Sequence, residues 1–194
     1  MMIRHFDAPP LNRKEIYKYA RMGAPTEETE ALMEACLAEL LPHLSYQICY
    51  KILPIDRKGE TLYIGAIKTS SSLAHKALEG CTKVIVFAAT IGLAPDRLIR
   101  RYSLSSPARA LLLQAIGSER VESLCDVFCK EIEQSGCVVR PRFSVGYGDL
   151  PLSLQQDIFK ILECNKIGIS LGESLLMTPS KSVTALIGIK EETK

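Results

Sequence analysis

Apolar residues at Leu32, Met33, Cys36, Leu37, Leu40 and Leu41 recur at the spacing that lines one face of a helix. The stretch APTEETEALMEACLAELLPHL is therefore expected to be helical, with Thr26 as its cap and Thr29 and Glu30 in an acidic first turn. LNRKEIYKYARM before it reads as a shorter helix, so the segment from about residue 1 to residue 43 is predicted to be helical. The pattern then changes. SYQICYKILPI and TLYIGAI read as two strands around a turn at DRKGE, and SLAHKALEG reads as a helix closed by Gly80, with the serines at 70–72 as its cap. TKVIVFAATIG is an apolar run rich in β-branched residues, the signature of a central strand.

Pro95 marks the start of a helix in APDRLIRRYS, and SPARALLLQAIGSERVESLCDVFCKEIEQSG is the longest helical stretch, ending at Gly136 and weakened locally at Gly117. PLSLQQDIFKILE adds a helix, KIGISLGES a strand and turn, and SVTALIGI a final strand. Helices and strands do not alternate as a parallel doubly wound sheet requires. The expected class is α+β, a largely antiparallel sheet with packed helices. No linker-like or repeated segment divides the 194 residues, so residues 1–194 are read as one domain.

Composition narrows the function classes. Hydrophobic residues make up 47% of the chain and charged residues 24%, enough for a sizeable core. A formal charge of +2 gives no footprint for nucleic acid or a membrane surface, and Arg97, Arg100 and Arg101 read as a solvated helix face. No apolar run approaches the roughly 18 residues that span a bilayer, and MMIRHFDAPP lacks the apolar core of a signal peptide. A cytoplasmic protein with reduced thiols is expected. Seven cysteines cannot all pair; Cys125, Cys129 and Cys137 have no histidine near them in sequence, so buried free thiols are favoured over a metal site. Phosphate-binding glycine motifs are absent, and His5, His43 and His75 lack an acid–base setting.

One loop keeps a chemical signal. In RPRFSVGYGDL, Arg140 and Arg142 precede a Gly-Tyr-Gly run, and glycine lets backbone approach a small anionic ligand closely. The same residues also suit an ordinary loop before a helix.

The pattern Arg142-x-x-x-Gly146-Tyr147, followed by a helix and then by Glu173-Ser174, Met177, Pro179 and Ser182-Val183, resembles the activation domain of vitamin B12-dependent methionine synthase. The likeness is most specific over about residues 118 to 189. It implies binding of S-adenosylmethionine, which in that family remethylates cobalamin that has been oxidised to cob(II)alamin, with an electron supplied by flavodoxin or another low-potential donor. The resemblance places the ligand against Arg142, Ser144, Val145, Gly146, Tyr147 and Glu122. A planar guanidinium at Arg142 holds a carboxylate bidentately, Gly146 allows close backbone approach, Tyr147 offers a flat face and a hydroxyl, and Glu122 balances an ammonium. Glu119, one turn away, is the alternative at that last position, and Asp7 is the candidate for the family's N-terminal acidic residue.

Departures accompany the likeness. Val145 stands where the family often has proline, and the sequence ends at LIGIKEETK, where long synthases continue and contribute a further tyrosine. The chain carries neither the D-x-H-x-x-G cobalamin signature nor adjacent zinc-binding cysteines, so the resemblance implies a module acting in trans on a cobalamin-binding methionine synthase module. No residue is assigned a catalytic role, because the cofactors carry the chemistry. The alternative is a non-catalytic ligand-sensing adaptor, or an activator of another corrinoid methyltransferase.

Overall fold

The computed structural model describes residues 1–190. Strands β1 (Met2–Phe6), β2 (Tyr46–Pro54), β6 (Cys81–Thr90), β10 (Ser182–Lys190) and β7 (Val138–Val139) form a five-stranded sheet in the order β1-β2-β6-β10-β7. Every pairing is antiparallel, as the α+β expectation requires. The central strand β6 is buried on both faces. Val84, Val86 and Ala88 point to one side, and Ile85, Phe87 and Ala89 to the other. A strand alternates its side chains, so an unbroken apolar run is what a strand between two layers needs.

On the Phe87 side lies α5 (Pro107–Gln134), with Phe128 packed 5.2 Å from Phe87 and 5.1 Å from Tyr50 between ring centroids. Helices α1 (Arg13–Tyr19), α2 (Glu27–Leu40) and α4 (Ala94–Tyr102) cluster on the first half of α5 through Ile16, Met33, Leu37, Leu40 and Ile116. Thr26 caps α2 as its sequence suggests, exchanging backbone and side-chain hydrogen bonds with Thr29. On the Val86 side lie α3 (Ser72–Ala77), α6 (Gln155–Ile161) and a small sheet of β3 (Asp56–Lys58), β4 (Thr61–Ile64) and β5 (Ile67–Thr69), which buries Leu62, Ile64 and Ile67.

Three sequence expectations are corrected. The segment before residue 43 is not helical throughout, because Met2–Phe6 is strand β1. As an edge strand it exposes Met2 and Ile3, and only Phe6 reaches the core, 6.3 Å from Phe128, so it lacks the alternation of a half-buried strand. TLYIGAI does not pair with SYQICYKILPI. Gly59 and Gly65, at φ +58° and +57°, make tight turns that break this region into the separate β3–β4–β5 meander. Finally, KIGISLGES contains a 3₁₀ turn and only a two-residue strand, β8 (Ser170–Leu171), paired with β9 (Met177–Thr178).

Two details of α5 position the site. Gly117 does not break the helix; a Cβ there would lie 3.0 Å from Cγ of Lys181, whose stem crosses the helix to donate from Nζ to Ser118 Oγ at 2.9 Å. Glu119 and Arg120 form a buried pair, Nε to Oε2 at 2.6 Å. Arg120 also donates to the carbonyls of Pro9 and Pro10, and Glu119 accepts from Asn12 N–H and Ser123 Oγ. Each charge is thus compensated by pairing and hydrogen bonds, and the network fastens the N-terminal arm to α5.

Candidate functional site

The loop following α5 is laid along the sheet edge. Val138 and Val139 pair with Lys190 and Ile189, Arg140 N–H donates to the Gly188 carbonyl, and Phe143 and Leu186 exchange two backbone hydrogen bonds at 3.0 and 2.8 Å. This register fixes Arg142 beside α5. Further on, Val145 and Leu150 sink into the core, and the chain turns between them: Gly146 N–H donates to Leu150 O at 2.8 Å, with φ +89° at Gly146 and +56° at Gly148. Those dihedrals favour glycine. Val145 is therefore a core anchor.

Asp149 completes the turn. Its carboxylate accepts from Ser71 Oγ at 2.5 Å, Ser72 N–H at 2.6 Å and Leu73 N–H at 3.2 Å, pinning the glycine turn to the first residues of α3. Arg140 ties the same two elements from the other end, donating to the carbonyls of Lys76 and Ala77. It is a tether, and it does not line the cleft described next.

Between this loop, the start of α6 and the start of β10 lies a cleft of ≈ 670 Å³. That volume falls within the usual range for small-molecule sites, about 300–1,000 Å³. Glu122, Arg142, Ser144, Val145 and Tyr147 all line it; Gly146 does not, and a Cβ there would press on Leu152, 3.1 Å away. The walls are mainly apolar, with Leu73, Phe143, Leu152 and Met177 among them. Tyr147 is 70% exposed and Leu176 67% exposed at the rim.

Charge is concentrated at one end. Arg142 Nη2 donates to Glu122 Oε2 at 2.7 Å and to Asp126 Oδ1 at 2.8 Å. Burial, the largest influence on Arg142, disfavours its charge. The surrounding Asp126 and Glu122 carboxylates more than offset this, and its pKa stands above the ordinary arginine value. Burial holds the Cys125 thiol neutral, so the two carboxylates are the charged partners.

Glu122 faces the cleft, whereas Glu119 is committed to the buried network with Arg120 and Asn12. Asp7 lies exposed beyond β1 and is not among the cleft residues. Of the later pattern residues, Met177, Ser182 and Val183 line the cleft, while Glu173, Ser174 and Pro179 do not. Sequence reading missed Asp126, although its i,i+4 spacing from Glu122 on a helix was the available signal. It also missed Gln155 and Thr184, joined by a 2.8 Å hydrogen bond in the cleft wall, and Leu175 and Leu176, presented by a tight turn with Leu175 at φ +63°.

All seven cysteines are free, and among the described residues no group of three or more His, Cys, Asp or Glu side chains is arranged to hold a metal ion. No described helix is long and apolar enough to cross a membrane.

No family model matches the chain, and no curated protein matches its sequence. Its fold is similar to that of a solved structure, the MetH reactivation domain bound to AdoHcy, with a TM-score of 0.68 and 16% sequence identity. The match covers 100% of this chain and 80% of that one.

Proposed function

We propose that this protein binds S-adenosylmethionine in the cleft beside Arg142 and serves as a reactivation subunit, supporting reductive remethylation of cob(II)alamin on a separate B12-dependent methionine synthase module. The observation that carries the reading is the meeting of Arg142 and Glu122 at one end of a largely apolar cleft. It gains weight from a fold similar to that of a domain solved with AdoHcy.

The residues fit the ligand by chemistry. Arg142 suits the carboxylate, Glu122 the ammonium, and Tyr147 with the leucine-rich wall suits the adenosine. Gln155 and Thr184 add polar groups to an otherwise apolar wall. When bound, S-adenosylmethionine supplies the methyl group. The chain itself binds and orients, and needs no acid, base or nucleophile for that task. Tyr147 and Leu176 at the rim present an apolar collar where a cobalamin-bearing partner would approach. Such docking is transient, with an interface at the small end of the usual size range. Flavodoxin or another low-potential donor would reduce the partner's cobalt, and cytoplasm is the compartment that suits these partners.

Two measurements test the reading. Calorimetric titration should show S-adenosylmethionine binding to the isolated protein. The absorbance spectrum of a stalled partner corrinoid protein should then change to the methylated form only with this protein, S-adenosylmethionine and a low-potential reductant together. Equal change without this protein would leave the ligand-sensing adaptor as the better account.

A further inference from the structure

Arginine has two edges that grip a carboxylate bidentately, Nε with Nη2 and Nη1 with Nη2, and both use Nη2. In this protein Nη2 of Arg142 is the atom already engaged, by Glu122 at 2.7 Å and Asp126 at 2.8 Å. Among the described residues, Nε and Nη1 donate no hydrogen bond. A bidentate ligand carboxylate must therefore displace one of the two acidic side chains.

We infer that Asp126 is a competing carboxylate: it pairs with Arg142 and is displaced by the carboxylate of an incoming ligand, so that it sets how strongly the site selects ligands bearing one. The inference rests on the cleft being a site for an adenosyl amino acid, as proposed above.

The two acidic residues are not equivalent. Glu122 lines the main cleft and its side chain is 36% exposed, whereas Asp126 lies outside that cleft and is 60% exposed. Returning the more solvated group to water costs less. Asp126 also has somewhere to go. It lines a neighbouring groove with Lys14 and Lys130, the latter one helical turn further along α5, and its ion pair is with Arg142, not with either lysine. Exchange of partners thus leaves Arg142 paired throughout, first to Asp126 and then to the ligand, while Glu122 remains.

The test compares two probes. S-adenosylhomocysteine carries the amino-acid head; 5′-methylthioadenosine has the adenosine and sulfur without it. Removing the competitor in Asp126→Asn should tighten S-adenosylhomocysteine about threefold to fivefold, the scale of an exposed ion pair, and leave 5′-methylthioadenosine unchanged. Asp126→Ala should do the same, which guards against the asparagine amide taking over the contact. If S-adenosylhomocysteine binds the variants equally or more weakly, Asp126 supports Arg142 instead of competing for it, and the inference fails while the site reading stands. If neither probe binds the unaltered protein, the site reading itself is wrong and the inference falls with it.

Discussion

Ser71 and Asp149, 78 positions apart in the chain, meet through a 2.5 Å hydrogen bond in which the serine hydroxyl donates to the carboxylate. The same hydroxyl accepts from Ala74 N–H at 3.1 Å, so one side chain both caps α3 and fastens the glycine turn. Hydrogen bonds from Ser71, then Ser72, hold the Asp149 carboxyl well below its ordinary range. A depressed carboxyl contributes stability that is present above its unfolded pKa and lost as pH falls through the folded one. The tether should therefore hold at neutral pH and release only below about pH 4. Asp149→Asn should loosen the turn at neutral pH, read as faster proteolysis near residues 146–149 and weaker ligand binding. Unchanged cleavage would show that Val145 and Leu150 hold the turn without it.

The two arginines of the loop should separate cleanly. Arg142→Ala is expected to weaken S-adenosylmethionine binding by about 2 to 4 kcal/mol, as when one partner of a charge-assisted pair is removed. Arg140→Ala removes bonds to the carbonyls of Lys76 and Ala77 and should cost about 1 kcal/mol of stability with little change in affinity. Calorimetry with each variant, alongside thermal unfolding, decides the matter. Equal affinity in the Arg142 variant would remove that residue from the site.

Thiol chemistry provides an independent check on the core. Burial pushes the Cys129 thiol up to about 11 and raises Cys125 further, so both are protonated at pH 8 and react slowly as nucleophiles. Cys36, Cys49, Cys81 and Cys164 are shielded from reagent by burial. Native protein treated with a disulfide reagent should label first at the partly exposed Cys137 and slowly at the half-buried Cys129, the five buried thiols appearing only on unfolding. Rapid labelling of Cys125 would mean that α5 does not lie against the sheet as described.

Legibility in the sequence followed how strongly a segment's surroundings constrain it. Strand β6 and helix α5 are covered by other layers along much of their length, so their residues carry unbroken or periodic apolar patterns. Strand β1 answers to one neighbouring strand and reaches the core only through Phe6 on Phe128, which is too little to impose alternation. The site divides in the same way. Arg142, Gly146 and Tyr147 sit close together in one loop and could be recognised as a group. Gln155 and Thr184 come from different elements and meet only because α6 packs across β10, so neither looks unusual in its own segment. Glu119 and Glu122 are both helix carboxylates, and only the course of the N-terminal arm past Asn12 shows which one is committed to structure.

The cleft has walls of unequal stiffness. Ser182 to Thr184 belong to the long β10–β6 ladder, whose amides open only with much of the molecule, whereas the turn at Gly146–Asp149 is exposed and held by a few hydrogen bonds. A ligand closing this cleft orders one side against a fixed surface, so the entropy lost on binding falls mainly on about four residues. Hydrogen exchange would register that asymmetry as slowed amides in the turn beside strand amides whose rates scarcely change.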